Sequence, residues 1–401
     1  MKLTHEINGK RILITGGTGF IGGRLIEILK TGFDVDVRVL VSNFSNVARI
    51  ARFPIDMVKG DILNPEDVRR AARGCDVVFH CAYGNSGTRE KRKRINIEGT
   101  KNILSACMET EVKRLVHLST IMVYGHTGDE EIDETAPHVH SGGLYSDSKL
   151  EAEQLIRNAQ PKNNLSTVIL QPTAVYGPYA PVWGVNVLDQ LKNGLVMLIN
   201  GGNGFCNAVY IDDLVNAMLL AAVNDVADGE SIIISGEYPI SWQDFYGYFE
   251  NMLGFASTIH IPEADAIAYT NRVESKKSLL KLLREDADLR SKILETSLIS
   301  SFRKAVAKIM PDKAMRNIRG KIGEDTNATG VPAGNGEVKK PVHSMSDSQI
   351  RFFKARTHFR IDKAKKLLGY KPRYDFDAGM KITRLWADSA NLLAKDMLKV
   401  K

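Results

Sequence analysis

Two short strings of residues in this 401-residue chain have the types and spacing needed for redox chemistry. The first is Gly16-Gly-Thr-Gly-Phe-Ile-Gly22, whose glycines permit a sharp turn and a close approach to the backbone. The second is Tyr145-Ser-Asp-Ser-Lys149, which places a phenol and an ammonium four residues apart, on one face of a helix. A turn that can bind a diphosphate and a pair that can move a proton together predict an enzyme that uses a dinucleotide.

The glycine-rich string joins a predicted strand to a predicted helix. The apolar run Arg11-Ile-Leu-Ile-Thr15 is typical of a buried parallel strand, and 23–30 has the apolar spacing of a helix. Backbone N–H groups at the start of such a helix can bind a pyrophosphate. The cofactor-binding residues predicted from this turn are Gly16, Thr18, Gly19, Phe20, Ile21 and Gly22.

The tyrosine and lysine form a predicted general acid/base. A nearby ammonium stabilises the phenolate, so Lys149 is expected to lower the pKa of Tyr145 from about 10. That suits proton transfer to or from an alcohol or carbonyl oxygen. Because Tyr-x-x-x-Lys alone is common on helix surfaces, a third element matters: 114–120 is a predicted buried strand that ends in hydroxyls, and one of them could bind the same oxygen.

Candidate strands alternate with helices from residue 11 to about residue 170, which predicts an α/β fold with a Rossmann-type, doubly wound parallel sheet. A later apolar run, Ser231–Ser235, is expected to add one more strand. Because other later segments are typical of a cap, the C-terminal substrate lobe is expected to be smaller and discontinuous. The candidate strands are 11–15, 36–41, 55–58, 76–80, 114–119 and 167–171.

Three parts are predicted along the chain. Residues 1–175 form the dinucleotide-binding domain, to which 205–238 returns. The substrate-binding lobe is built from 176–204, 239–262 and 351–401. Residues 263–350 form a basic, amphipathic helical insertion followed by a mobile loop.

Composition limits the class of protein. The first residues lack an apolar signal segment, and no run reaches the roughly eighteen apolar residues of a spanning helix, so a cytoplasmic protein is expected. The four cysteines have no Cys-x-x-Cys spacing, which predicts reduced core residues and neither a metal site nor a disulfide. They are Cys75, Cys81, Cys107 and Cys206.

With these motifs in order, the chain resembles the extended short-chain dehydrogenase/reductases, the NAD-dependent epimerase/dehydratase family. The resemblance covers about residues 10–255 and resumes at about 352–386. Its matching segments are Thr15–Gly22, Gly60-Asp-Ile62, Val77–Ala82, Asn96–Thr100, Ser119-Thr120, Tyr145 with Lys149, Gln171–Pro178 and Val209–Asp213.

The resemblance implies roles for individual residues. Tyr145 is the acid/base, Lys149 tunes it and holds the nicotinamide ribose, and Thr120 is the hydroxyl partner. Asp61 and Ile62 would flank the adenine, and the backbone near Ala82 would follow the middle of the cofactor. The remaining residues assigned to the cofactor are Pro172 and Val175.

The choice between NAD and NADP depends on the end of the second strand, where a carboxylate would favour NAD and repel a 2′-phosphate. The chain has Ser42 and Asn43 there, which can hydrogen-bond either cofactor, and Arg49 stands farther along. The sequence leaves NAD and NADP both open.

Departures from the family pattern narrow the chemistry. Ile121-Met122 follows Thr120 where sugar dehydratases of the family have Asp-Glu, which argues against water elimination. Ala174 and Gln171 replace a usual Asn and Arg. The first hypothesis is an oxidoreductase or epimerase that moves a hydride at a secondary alcohol or ketone of a nucleotide-linked sugar. The second is an enzyme like 3β-hydroxysteroid dehydrogenase or a ketone reductase, acting on a lipid-like alcohol, and the third is a cofactor-sensing binding protein.

Two basic stretches have competing interpretations. The surplus of lysine and arginine across 272–321 fits a charged helical cap or dimer element, or else peripheral docking on an anionic membrane. Nucleic acid is not expected as a partner, because no aromatic residues interleave with these charges. The run Arg89-Glu-Lys-Arg-Lys-Arg94 is predicted to be a solvated helix entry, with contact to a substrate phosphate as the alternative.

The resemblance also implies a homodimer, in which the helix after Asn96 and the helix of Tyr145 pack against their symmetry mates. The apolar positions assigned to that contact are Ile103, Leu104, Cys107, Leu150, Ala152, Leu155 and Ile156.

Overall fold

The computed structural model describes residues 2–125, 128–159, 165–285 and 340–394. Most of the predicted basic segment, from residue 286 onward, lies outside the described residues, and so does the predicted loop at 323–336. The predicted membrane contact through 272–321 therefore stays a prediction, as does the division of the chain into three parts.

Seven parallel strands form the central sheet, in the order β3-β2-β1-β4-β5-β7-β12. With strands numbered in chain order, they are β1 (Arg11–Thr15), β2 (Asp36–Val41), β3 (Asp56–Lys59), β4 (Val77–His80), β5 (Arg114–Leu118), β7 (Ser166–Pro172) and β12 (Ser231–Ile234). All six candidate strands and the added strand at 231–235 are confirmed, and so is the doubly wound fold.

Short strand pairs surround this sheet. Three of them are parallel, and the pair β10–β13 is antiparallel. The pairs are β6 (Glu131–Ile132) with β15 (His358–Phe359), β8 (Ala174–Tyr176) with β11 (Ala208–Tyr210), β9 (Val196–Ile199) with β14 (Thr258–Ile261), and β10 (Phe205–Cys206) with β13 (Ile240–Ser241).

The described part of the chain has twelve α-helices. They are α1 (Lys2–Ile7), α2 (Phe20–Gly32), α3 (Pro65–Ala72), α4 (Arg89–Glu109), α5 (Leu144–Ala159), α6 (Asn186–Asn193), α7 (Ile211–Val223), α8 (Trp242–Leu253), α9 (Glu263–Glu285), α10 (Asp347–Lys354), α11 (Asp362–Leu368) and α12 (Phe376–Ser389). None of the helices in these ranges is long and apolar enough to cross a membrane.

The sheet is buried on both faces, which is why its strands read as apolar runs. One hydrophobic cluster contains Ile12 and Ile14 of β1, and a second contains Leu13 of the same strand, so successive side chains enter opposite layers. The strand order reverses between β1 and β4, and the crevice above the carboxyl ends of the strands at that point is where such sheets bind ligands.

The apolar positions assigned to a dimer contact are packed inside the chain itself. Six of the seven are buried: Ile103, Leu104, Cys107, Leu150, Ala152 and Ile156. Leu150 and Ile103 belong to the two core clusters under the sheet. The assignment of these six residues to a contact between copies is therefore wrong, because the faces of α4 and α5 that carry them cover the chain's own core, whereas Leu155 is half-buried and its assignment stays a prediction.

Two segments far apart in sequence meet at the edge of the smaller lobe. The Tyr269 hydroxyl of α9 donates to the Val342 carbonyl oxygen at 3.1 Å, and the Thr270 hydroxyl donates to the Met345 carbonyl oxygen at 2.7 Å. The chain therefore leaves α9 and returns at residue 340 against the same helix.

The glycine-rich turn gives a stability prediction. A Cβ on Gly22 would clash with the backbone of Gly16 and Gly17, whereas one on Gly32, at the other end of α2, would meet nothing within 4 Å. Gly22→Ala should lower the free energy of unfolding by roughly 1–3 kcal/mol, and Gly32→Ala should leave it unchanged or raise it by up to about 1 kcal/mol. Urea denaturation of the two variants checks this, and equal effects would contradict the proposed close approach.

Candidate active site

The turn after β1 is shaped for a close ligand contact. Gly16 has φ +70°, and a Cβ there would lie 2.7 Å from the backbone of Cys81 and Ala82. Helix α2 begins at Phe20, and no side chain caps its N-terminus at Gly19. The first N–H groups of α2 thus face the crevice without a side-chain acceptor, which fits the diphosphate of a dinucleotide.

The other predicted cofactor residues follow neighbouring strands of the sheet. Ser42 and Asn43 follow β2 and are exposed, Asp61 and Ile62 follow β3, and Ala82 follows β4. Because the carboxyl ends of parallel strands share one edge, these residues lie along the same side of the sheet as the turn. Two more positions predicted for the cofactor are Pro172, which ends β7, and Val175 in β8.

Thr120 and Tyr145 are brought together by two elements. Thr120 follows β5 and begins a 3₁₀ turn, with its Oγ1 accepting from the Met122 N–H at 3.2 Å. Tyr145 lies in the first turn of α5, close enough to the Thr120 side chain for that side chain to lower its pKa. A hydroxyl and a phenol are therefore placed to contact one substrate oxygen.

Lys149 lies one turn farther along α5 and is buried. Its Nζ donates to the Leu118 carbonyl oxygen at 2.7 Å, at the end of β5. Burial lowers the pKa of Lys149 to about 8, while the carboxylate of Glu153 acts in the opposite direction. The ammonium is thus the favoured form below about pH 8 and becomes neutral above it.

The expected low pKa of Tyr145 is not found. Loss of water around the phenol raises its pKa, and the hydrogen bond with Thr120 offsets this only in part. About 37% of the residue is still open to solvent, so a part of the ring faces the crevice. The pKa of Tyr145 is therefore shifted away from neutrality, in the direction opposite to the one that its pairing with Lys149 predicts.

A cavity of about 340 Å³ is lined in part by Met122, whose N–H donates to the Thr120 hydroxyl oxygen. Eight of the other fourteen lining residues are apolar or aromatic, and six are polar: Asn186, Gln190, His343, Ser344, Ser348 and Gln349. None of the described residues that line it is Lys, Arg, Asp or Glu. Its apolar lining includes Trp183, Val187, Val196, Tyr246, Phe352 and Phe353.

The sequence analysis missed one wall of this cavity. His343, Met345 and Gln349 line it, although they fall within the stretch that was predicted to be a basic insertion. His343 Nε2 lies 3.0 Å from the Gln190 carbonyl oxygen, which fixes the ring at the cavity edge. The helical spacing of 347–354, with its capping box at Ser346, was the available signal.

Asn96 links the loop after β4 to helix α5 through two hydrogen bonds of its side chain. Its Oδ1 accepts from the Gly84 N–H at 2.9 Å, and its Nδ2 donates to the Ser148 hydroxyl at 2.9 Å. The loop after β4 is thereby fixed to α5, directly beside Lys149. No group of three potential metal-ligating side chains occurs among the described residues. Three of the four free cysteines, Cys75, Cys107 and Cys206, are buried, and Cys81 is half-buried.

Comparison with known proteins identifies the family to which the chain belongs. Residues 12–235 match the model of the NAD dependent epimerase/dehydratase family. The chain belongs to this family. It is therefore an NAD(P)-dependent enzyme of the extended short-chain dehydrogenase/reductase type, as the motifs predict.

Two relatives and one solved structure illustrate the range of the family. Human short-chain dehydrogenase/reductase family 42E member 1 is 32% identical over 61% of this chain and 67% of its own. Sterol-4-alpha-carboxylate 3-dehydrogenase ERG26, decarboxylating, of Candida albicans is 29% identical over 94% of this chain and 97% of its own. UDP-glucuronic acid 4-epimerase of Bacillus cereus, solved in complex with NAD, has a TM-score of 0.64 at 19% identity, covering 95% of this chain and 99% of that one.

The site predicts the effect of removing one hydroxyl. Tyr145→Phe should lower kcat by roughly 10²–10⁴-fold, because the phenolic proton is used only in the chemical step, and should leave the affinity for NAD unchanged. Tyr238→Phe is the control, since Tyr238 is 76% exposed and lies outside the site. Steady-state kinetics and NAD titration check both variants, and near-normal turnover of Tyr145→Phe would contradict the assignment.

Proposed function

We propose that the chain is an NAD-dependent oxidoreductase that moves a hydride to or from a carbon bearing a secondary alcohol or ketone. The observation that supports this most is the contact of Thr120 with Tyr145 beside the glycine-rich turn, with buried Lys149 one turn away. Bound NAD supplies or accepts the hydride. Tyr145 gives or takes the proton of the substrate oxygen, Thr120 holds that oxygen, and the charge of Lys149 favours the phenolate after the proton has left.

We propose an apolar, lipid-like alcohol as the substrate. The described lining of the cavity carries no lysine or arginine, whereas a nucleoside diphosphate needs cationic or multiple N–H partners for its charge. Gln171 and Ala174, in place of the family's usual Arg and Asn, remove two such partners. The similarity to a sterol-4-alpha-carboxylate 3-dehydrogenase over 94% of the chain supports the same substrate class and a net dehydrogenase.

A nucleotide-linked sugar is the second candidate, with epimerisation as its reaction. The likeness of the whole fold to a UDP-glucuronic acid 4-epimerase favours it. The third hypothesis, a cofactor-sensing binding protein, has less support, because the acid/base pair and its hydroxyl partner are all in place.

We propose NAD rather than NADP as the cofactor. Arg49, the nearest predicted cation, donates from Nε and Nη2 to the Glu27 carboxylate at 2.9 and 3.0 Å. The Asn43 side chain accepts from the Ser45 N–H at 2.9 Å and caps a short turn. With Arg49 paired to a carboxylate and Asn43 used locally, a 2′-phosphate would lack a strong partner from these two positions.

Three further proposals come from the sequence: a cytoplasmic location, a homodimer, and peripheral contact with anionic membranes through 272–321. The contact would bring a lipid-like substrate close to the enzyme. The homodimer needs a face other than the buried positions of α4 and α5.

The substrate proposal predicts which ligands stabilise the chain. With saturating NAD, hydroxysteroids should raise the melting temperature and support NADH formation, and UDP-, GDP- and dTDP-sugars should do neither.

Phe352→Ala, in the cavity wall, should raise the KM for the steroid about tenfold or more, through the loss of a buried aromatic contact. Phe44→Ala is the matched control at an exposed site. Stabilisation by a nucleotide sugar alone would favour the second candidate.

The cofactor proposal predicts a preference that calorimetry can measure. NAD should bind more tightly than NADP, and Ser42→Asp should weaken NADP binding far more than NAD binding, because a carboxylate repels the 2′-phosphate. Equal weakening of both would show that Ser42 does not face the ribose.

A further inference from the structure

One residue of the basic run at 89–94 is turned toward the active site. Arg92 is half-buried, and it donates from Nε to the Gly84 carbonyl oxygen and from Nη2 to the Tyr83 hydroxyl, each at 3.2 Å. Its neighbours behave as a solvated helix entry should: Lys93 pairs with Glu151, and Arg94 pairs with Glu98. The prediction of a solvated start to the helix is therefore correct for Lys93 and Arg94 and wrong for Arg92.

The loop that carries Tyr83 is held tightly against α4. A Cβ on Gly84 would lie 2.9 Å from the Arg92 carbonyl oxygen, so only glycine lets the loop lie this close to the helix. The Gly84 N–H also donates to Asn96. The residue after Tyr83 is thus held by Asn96, and the hydroxyl of Tyr83 accepts from Arg92.

The ring of Tyr83 contacts both members of the catalytic pair. Its centroid lies 5.0 Å from that of Tyr145, with an angle of 89° between the planes, which is an edge-to-face contact. The Nζ of Lys149 lies 5.7 Å from the same centroid, within the range of a cation–π interaction. Both contacts come from one side chain that no motif in the sequence singled out.

We propose that Tyr83 is a positioning residue for the catalytic pair: its ring holds the phenol of Tyr145 on the Thr120 side and faces the ammonium of Lys149, and Arg92 keeps Tyr83 in that place. The proposal rests on the proposed function, since it assigns Tyr83 to the proton-transfer step.

Other titratable groups also lie near Lys149, and their charges must be considered for its pKa. Cys81 follows β4, Glu153 lies on α5, and His80 and His117 lie on β4 and β5. Burial lowers the pKa of His80 to about 3 and the pKa of His117 well below its usual value, so neither ring is charged at neutral pH. Burial also raises the pKa of Cys81 to about 12, so its thiol is neutral too. Among these groups, the carboxylate of Glu153 and the ring of Tyr83 are then the ones that stabilise the ammonium of Lys149.

The direction of the effect follows from the charge. A ring that faces the ammonium favours the protonated form and raises the pKa of Lys149. Replacing Tyr83 with leucine keeps an apolar group there but removes the ring, so the pKa of Lys149 falls. The alkaline limb of the profile of kcat against pH should then move to lower pH by about 0.5–1 unit.

The test compares Tyr83→Leu, Tyr83→Phe and Arg92→Met by kcat, KM and NAD affinity across pH. Tyr83→Leu should lower kcat at neutral pH about tenfold, move the alkaline limb, and change KM and NAD affinity less than twofold. Tyr83→Phe should move the limb less than Tyr83→Leu does, because it keeps the ring and loses only the hydrogen bond with Arg92. Arg92→Met should move the limb in the same direction as Tyr83→Leu, but by less. Tyr238→Leu and Arg94→Met are the controls, since both side chains lie on the surface.

Two results would overturn the proposal. One is an unmoved alkaline limb in Tyr83→Leu with normal kcat, and the other is a loss of NAD affinity and melting temperature in parallel with kcat, which a purely structural role would give. If Tyr83→Leu misfolds, Arg92→Met still tests the proposal, because it removes the hydrogen bond to the Tyr83 hydroxyl and leaves the Tyr83 ring in the chain. Turnover by Tyr145→Phe would refute the proposed function itself, so the two failures are distinguishable.

Discussion

The buried ammonium of Lys149 is the constraint on which the site depends. Taking a charge out of water costs several kcal/mol unless it is paired or hydrogen-bonded, and here the Leu118 carbonyl oxygen at the end of β5 accepts from it. That bond requires α5 to lie across the carboxyl end of β5. The same placement brings Tyr145 to Thr120, and Asn96 joins α5 to the loop after β4.

Much of this arrangement is predictable from the sequence. The strands are short apolar runs, and the turn after β1 has glycines at the positions where a Cβ would clash, so both have local signals. The spacing of Tyr145 and Lys149 on one face of a helix is a local signal, and the resemblance to the family implied that Thr120 is their partner. Their proximity needed no knowledge of the smaller lobe.

The rest of the site depends on tertiary packing that leaves no local pattern. The cavity wall at 343–353 comes from a part of the chain remote from Thr120, and the apolar residues of α4 and α5 look the same whether they face a partner or the chain's own core. The raised pKa of Tyr145 depends on how much water the folded chain removes, which spacing along a helix does not give. Tyr83 lies in a loop, where there is no hydrophobic periodicity from which its position could be predicted.

The contacts of α9 with Val342 and Met345 have a consequence for how this chain can change over evolution. They join α9, which precedes 286–339, to the segment that follows it, through contacts that do not involve 286–339. Doubling the length of a segment between fixed ends costs only about 0.6 kcal/mol in closure entropy if that segment is flexible. A change in the length of the chain between α9 and residue 340 therefore leaves intact the contacts that hold the cavity wall at 343–353, so a new surface can be added there without loss of the redox chemistry.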